Sequence, residues 1–101
     1  MIIDSNDAKF AVIFTSALNK LNEEYISTAL EMEELAKSIP GFVGMESVRN
    51  NLNGISVSYW KSLEDIHQWK TNARHELAKN QGKKNWYKCY RTRITEIIKD
   101  Y

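Results

Sequence analysis

The run Asn50-Asn51-Leu52-Asn53-Gly54 is a dense turn signal, and directly behind it Ile55, Val57 and Tyr59 alternate with Ser56 and Ser58. A period of two with a single apolar face is the pattern of a half-buried strand. Phe42 to Arg49 precedes the turn and reads as the other arm of a hairpin. Gly44 interrupts that arm and marks a bulge or a close backbone approach. A hairpin at the middle of a chain with helical patterns on both sides leaves few ways to fold.

Upstream, Phe10-Ala11-Val12-Ile13-Phe14-Thr15 is a short, nearly unbroken apolar run, read as a first strand covered on both faces. Asn19 or Asn22 can then cap a helix with Glu23 and Glu24 in its first turn. Its apolar stripe is Leu21, Tyr25, Ala29, Met32, Ala36 and Ile39, and Pro40-Gly41 ends it. Downstream of the hairpin, Ser62-Leu63-Glu64-Asp65 resembles a capping box, and Ile66, Trp69, Ala73 and Leu77 follow on one helical face. Thr71-Asn72 offers an internal cap that would split this helix in two, and Gln81-Gly82-Lys83-Lys84-Asn85 stops it. Trp86 to about Ile98 reads as a last strand of about thirteen residues, roughly 43 Å at ~3.3 Å each.

The resulting order is β-α-β-β-α-β. It predicts an α+β, ferredoxin-like βαββαβ fold, with two helices on one face of a four-stranded antiparallel sheet. With 101 residues there is room for one core, so a single domain is expected over 1–101, with its core at about residues 8–99. The other face of the sheet and the end of the long last strand then need cover. A second subunit supplies it, giving a homodimer in the form of a dimeric α+β barrel with a cavity between each sheet and its helices.

Composition narrows the function classes. The chain is 43% hydrophobic and 27% charged, with a formal net charge of +1, so nothing in its bulk electrostatics points to nucleic acid or an anionic membrane as a partner. No stretch of eighteen apolar residues occurs and the start lacks a signal-peptide pattern, so neither membrane spanning nor secretion is expected. Cys89 is the only cysteine. It excludes an internal disulfide and a zinc site with two thiolates, and fits a cytoplasmic location. As a lone thiol it is read as a buried, small apolar residue.

The segment Ser56-Val57-Ser58-Tyr59-Trp60-Lys61-Ser62-Leu63-Glu64-Asp65-Ile66-His67-Gln68-Trp69, with His75 six residues on, resembles the central signature of antibiotic biosynthesis monooxygenase (ABM) domains. Pro40-Gly41-Phe42, the pattern Tyr87-x-x-Tyr90-x-x-Arg93-Ile94 and the ending Ile97-Ile98-Lys99-Asp100-Tyr101 are similar to that family as well. The match runs from about Phe10 to the C-terminus. The resemblance implies a dimeric α+β barrel and, in some members, oxygenation of polycyclic phenolic or anthrone-like substrates without a cofactor. Fold likeness alone assigns no reaction.

Such an oxygenase needs a dry aromatic pocket, a base and room for O₂. His75 is the candidate catalytic base, because an imidazole titrates near neutral pH; the competing reading is a surface or helix-capping histidine. Trp60, Trp69, Trp86 and Tyr90 are the candidate substrate-binding aromatics, against a core-filling role that the spacing of Trp69 with Ile66 and Ala73 favours. Arg93, which shares one side of the last strand with Arg91, is a candidate for holding an anionic substrate, or else an ion-pairing surface residue. His67 lies eight residues before His75, about 12 Å along one helix, too far for ordinary ligand spacing, so no metal site is expected. Lys83-Lys84 with Lys79 reads as a solvated basic patch.

Two functions follow. One is a cofactor-free monooxygenase acting on a small quinol- or anthrone-like aromatic; the other is a non-catalytic dimeric barrel that binds a small hydrophobic metabolite. Haem degradation, which relatives with this barrel carry out through an Asn on the first strand and a His on the second helix, is disfavoured. The first strand has no Asn, and Lys79 stands where the haem histidine would be.

Overall fold

The computed structural model describes residues 7–79 and 86–101, with side chains described for 7–73 and 86–101. The elements are β1 (Phe10–Leu18), α1 (Glu23–Lys37), β2 (Phe42–Asn50), β3 (Asn53–Trp60), α2 (Leu63–Lys79) and β4 (Tyr87–Glu96). This is the expected βαββαβ order. One antiparallel sheet holds the strands as β2-β3-β1-β4, with the hairpin on one side and β4 on the other edge.

Local chemistry sets most of the boundaries. Asn22 caps α1, its side-chain oxygen accepting the Tyr25 N–H at 2.8 Å, and Glu23 and Glu24 sit at the positive dipole end. At the other end the Ser38 hydroxyl donates to the Leu35 carbonyl at 2.6 Å. Ser62 caps α2 by accepting the Asp65 N–H at 3.1 Å, and its hydroxyl donates to the Asp65 carboxylate at 2.6 Å. The same carboxylate lies where a side chain on Gly41 would be, since a Cβ there would come within 1.8 Å of Asp65 Oδ2. Asn51, at φ 55°, takes the left-handed residue of the hairpin turn, a conformation asparagine tolerates.

Cross-strand register assigns the two faces. Phe10, Val12, Phe14, Ser16 and Leu18 of β1 face the helices with Trp60, Ser58, Ser56 and Gly54 of β3 and with Ile94, Thr92 and Tyr90 of β4. Ala11, Ile13, Thr15 and Ala17 point to the opposite, open face. On β2 the register shifts between Phe42 and Gly44. This bulge realises the irregularity expected at Gly44, and it reverses the parity behind it, so Met45, Ser47 and Arg49 join the helix side. The core lies between sheet and helices and consists of Val12, Ala36, Ile39, Trp60 and Ile66, with Phe10, Phe42, Met45 and Trp69 packed against it. No helix among the described residues is long and apolar enough to cross a membrane.

Three sequence expectations need correction. The last strand is Tyr87–Glu96, shorter than the Trp86–Ile98 read from composition. Its ladder can run only as far as β1, its neighbour on the sheet, and Phe10, the first residue of β1, pairs with Glu96. Helix α2 is continuous through Thr71-Asn72. The Thr71 hydroxyl, instead of capping a new helix, donates to the His67 carbonyl one turn back at 3.0 Å. In α1 the buried residues are Tyr25, Thr28 and Ala36, whereas Leu21 and Ala29 of the expected stripe are exposed. The stop signal at residues 81–85 and its lysines lie outside the described residues.

Candidate functional site

Where β1 and β2 end and β3 and β4 begin, a polar network is set into the helix side of the sheet. Arg49 is its centre. Its Nη2 donates to Ser16 Oγ at 3.0 Å and to Tyr25 Oη at 3.1 Å, its Nη1 donates to the Leu52 carbonyl at 3.0 Å, and its guanidinium carbon lies 5.3 Å from the centre of the Tyr25 ring. The guanidinium occupies the space over Gly54, where a Cβ would fall 2.4 Å from Nη2. Glycine is therefore required at that position by the arginine, rather than by the turn. Ser16 and Tyr25 are both buried.

Aromatic rings continue from this network toward β4. Tyr25 meets Trp86 edge-to-face at 5.8 Å and Tyr87 at 5.7 Å. Phe14 lies 5.7 Å from Tyr87 and 5.8 Å from Tyr90, and Tyr87 is 5.3 Å from Tyr90. Burial, helped by a hydrogen bond with Tyr25, pushes the Tyr87 phenol well above its ordinary range, while the Arg49 charge pulls the other way. Tyr87 thus stays protonated and serves as a neutral hydrogen-bonding wall. Tyr90, at the outer end, is 63% exposed and offers an open ring face.

The sequence-derived candidates divide between this cluster, the core and the open face. Trp86 and Tyr90 are brought together through Tyr25 and Tyr87. Trp60 is fully enclosed, its indole N–H donating to Ser58 Oγ at 2.8 Å; it stacks on Trp69 at 5.2 Å and meets Phe42 edge-to-face at 5.3 Å. Trp69 is half-buried and donates its N–H to the Met32 carbonyl at 3.1 Å, joining α2 to α1. These two indoles fill the core at a distance from the Tyr25 cluster. Arg93 pairs in register with Ile13 on the open face, so the sheet separates it from Tyr90. Cys89 is exposed on that same open face, opposite Ala17, which corrects its reading as a buried thiol. His67 is exposed on α2. His75 belongs to α2, but its side chain is outside the described residues.

Arg49, Ser16 and Phe14 were missed from sequence. A charge opposite a glycine was the available signal, but the strand parity that gives it meaning is reversed by the bulge at the start of β2. Without that bulge Arg49 would face away from the helices.

Two hollows adjoin the site among the described residues. One, about 440 Å³, runs between α1 and the β2–β3 hairpin and includes Tyr25, Arg49, Ser47 and Ser56. The other, about 700 Å³, is shallow and includes the open-face residues Thr15, Ala17, Ile55, Cys89 and Arg91.

Comparison with known proteins agrees with this fold. No family model matches the sequence. An uncharacterised protein of Bacillus subtilis, YqjZ, is 40% identical over 89 residues, covering 87% of this chain and 78% of that protein. The jasmonate monooxygenase ABM of Pyricularia oryzae is 27% identical over 94 residues, covering 87% of this chain but only 43% of that protein, so this chain spans less than half of its length. Among solved structures, a mutant of SnoaB, a cofactor-independent oxygenase from Streptomyces nogalater, superposes with a TM-score of 0.74 at 8% identity, covering 92% of this chain and 96% of that one. A dimeric ferredoxin-like protein from an uncultured marine organism superposes with a TM-score of 0.75 at 12% identity, covering 97% of this chain and 95% of that one. With its βαββαβ topology and these structural neighbours the chain has the ferredoxin-like fold, and its sequence makes it a relative of YqjZ that is also similar to the ABM monooxygenase of Pyricularia oryzae.

Proposed function

We propose that the protein is a cofactor-independent monooxygenase whose substrate is a small, electron-rich aromatic of the quinol or anthrone type, bound on the helix side of the sheet. The observation that carries this reading is the cluster of Phe14, Tyr25, Trp86, Tyr87 and Tyr90, an aromatic wall beside a hydrogen-bonded cation and ending in the exposed ring of Tyr90. Trp86 and Tyr90 stack the planar substrate. His75 is the base that removes a proton from the phenol or activated carbon. The resulting anion donates electrons to O₂, and conversion of a CH₂ group to C=O with release of water balances one O₂ against four substrate electrons. No external reductant enters. SnoaB, described as a cofactor-independent oxygenase, shares the fold and so makes the reaction class chemically reasonable for this scaffold.

The working unit of this proposal is a homodimer. The open face carries Ile13 and Val57 side by side, Val48 and Ile55 in register with each other, and Arg91 and Arg93; Val48 is 61% and Ile55 54% exposed. Two such faces packed together bury this apolar surface, and a solved neighbour of the same fold that is described as dimeric supports the reading. In this reading Arg93 belongs to the subunit contact rather than to substrate.

Oxygen uptake by the purified protein, measured against a panel of anthrones and quinols, tests the assignment. Uptake that requires folded protein and falls at least about a hundredfold in His75→Ala is expected, in line with the usual contribution of a general base. Full uptake in that variant would remove His75 from the reaction. Binding of panel compounds with no uptake would leave a non-catalytic binding barrel.

A further inference from the structure

No Asp or Glu oxygen among the described residues lies within 4.0 Å of the Arg49 cation, the ion pairs being confined to Lys37 with Glu33 and Glu34 on α1. Among the described residues the hydrogen bonds of Arg49 all go to neutral oxygens, and the N–H on Nε and one on Nη1 are left without an acceptor. A guanidinium keeps its charge at any accessible pH, and a half-buried charge without a counter-ion is costly. Here the chain holds that charge in place with a tyrosine, a serine and a glycine that makes room for it.

The groove onto which Arg49 opens is amphipathic. Its α1 bank is aliphatic, made by Leu21, Ile26, Ala29 and Leu30, and Leu21, Ile26 and Leu30 are 40%, 46% and 59% exposed. Its sheet bank carries Ser47 and Ser56, whose hydroxyls bond each other at 3.0 Å. The volume, about 440 Å³, is within the range of small-molecule sites. This second apolar stripe of α1 packs on no described residue of the core, and it ends at the Arg49 cation.

We infer that this groove is a binding site for a monocarboxylate with an aliphatic chain. The carboxylate accepts from the Nε and Nη1 N–H groups of Arg49, and the aliphatic chain lies along Leu21, Ile26 and Leu30. The groove meets the aromatic cluster at Tyr25, which lines both, and Arg49 stands beside each.

Titration calorimetry with decanoate and decan-1-ol, on the intact protein, tests it. Decanoate is expected to bind the wild type, and about ten- to a hundredfold more weakly to Arg49→Met, the loss of a charge-assisted hydrogen bond. Decan-1-ol is expected to bind weakly and equally to both. Leu30→Gln, at an exposed position, weakens decanoate without changing the circular dichroism, which keeps the test decisive should Arg49→Met fail to fold. Equal affinity for acid and alcohol, or unchanged decanoate affinity in either variant, overturns the inference. So does conversion of a dimer to a monomer by Leu30→Gln, which would make the groove a contact between copies of the chain.

Discussion

Gly54 carries no side chain because the Arg49 guanidinium lies where one would be. Gly54→Ala must push Arg49 off Ser16 and Tyr25, and it is expected to cost about 1–3 kcal/mol in urea unfolding, as overpacking does. In the double variant with Arg49→Ala the Gly54→Ala penalty should shrink, because the clash has lost its second partner. Additive losses would show that Arg49 is not the obstacle. Tyr59, on the open face, donates to the Glu46 carboxylate at 2.5 Å. That bond, then burial and the Glu46 charge, raise its phenol from 10.0 to about 12. The protonated phenol is the form favoured by folding, so this contribution is complete below pH 10 and is lost as the pH rises through about 12. The stability difference between wild type and Tyr59→Phe, followed by urea midpoints, should therefore shrink across that window. A constant difference would contradict the bond. The tyrosine itself was legible as a member of an alternating strand, but its diagonal partner Glu46 was not, because the bulge in β2 sets which residues share its face.

At the scale of elements, caps and turns carry local instructions that need no tertiary partner. Asn22→Ala and Ser62→Ala should each cost about 1 kcal/mol, read as a fall in unfolding free energy. Gly41→Ala should cost more than either, since its Cβ would collide with the very carboxylate that Ser62 holds. A neutral Gly41→Ala would mean that Asp65 turns away freely. The caps, the hairpin and the element order were all readable for this reason. The phase of α1 was readable in part, since Tyr25, Ala36 and Ile39 of the expected stripe are buried and Leu21 and Ala29 are exposed. A helix with Leu21, Tyr25, Ile26, Thr28, Ala29, Leu30 and Met32 has two overlapping apolar stripes, and the period of 3.6 does not choose between them. The sheet chooses by burying Tyr25 and Thr28, leaving Ile26 and Leu30 uncovered. The continuity of α2 through Thr71 likewise depends on whether a hydroxyl bonds forward as a cap or back to the His67 carbonyl.

At the scale of the whole molecule, the sheet has one face on helices and one open, and β1 and β3 run through its middle. A charge placed on the open face at either central strand should abolish a sheet-to-sheet dimer while leaving the helix side intact. Ile13→Glu and Val57→Glu are accordingly expected to sediment as monomers at micromolar concentration with unchanged circular dichroism, whereas the wild type sediments as a dimer. A dimer that survives both substitutions would place the interface elsewhere. The spread of the site residues belongs to this scale too. Trp60, Trp69, Trp86, Tyr90 and Arg93 are alike in sequence as aromatic or cationic candidates for a ligand. The packed molecule sends the first two into the core, the next two to the aromatic cluster and the last to the open face.

The sequence by itself determined the elements, their order and the ferredoxin-like topology, because alternation, helical period, caps and turn residues act over a few neighbours and each is written locally. The tertiary structure alone decided that Arg49 rather than Arg93 enters the helix side, and that Ser16, Tyr25 and Gly54 surround it. Those outcomes turn on a one-residue bulge that reverses the parity of β2 and on the register of β1 against β3, which sequence spacing does not encode.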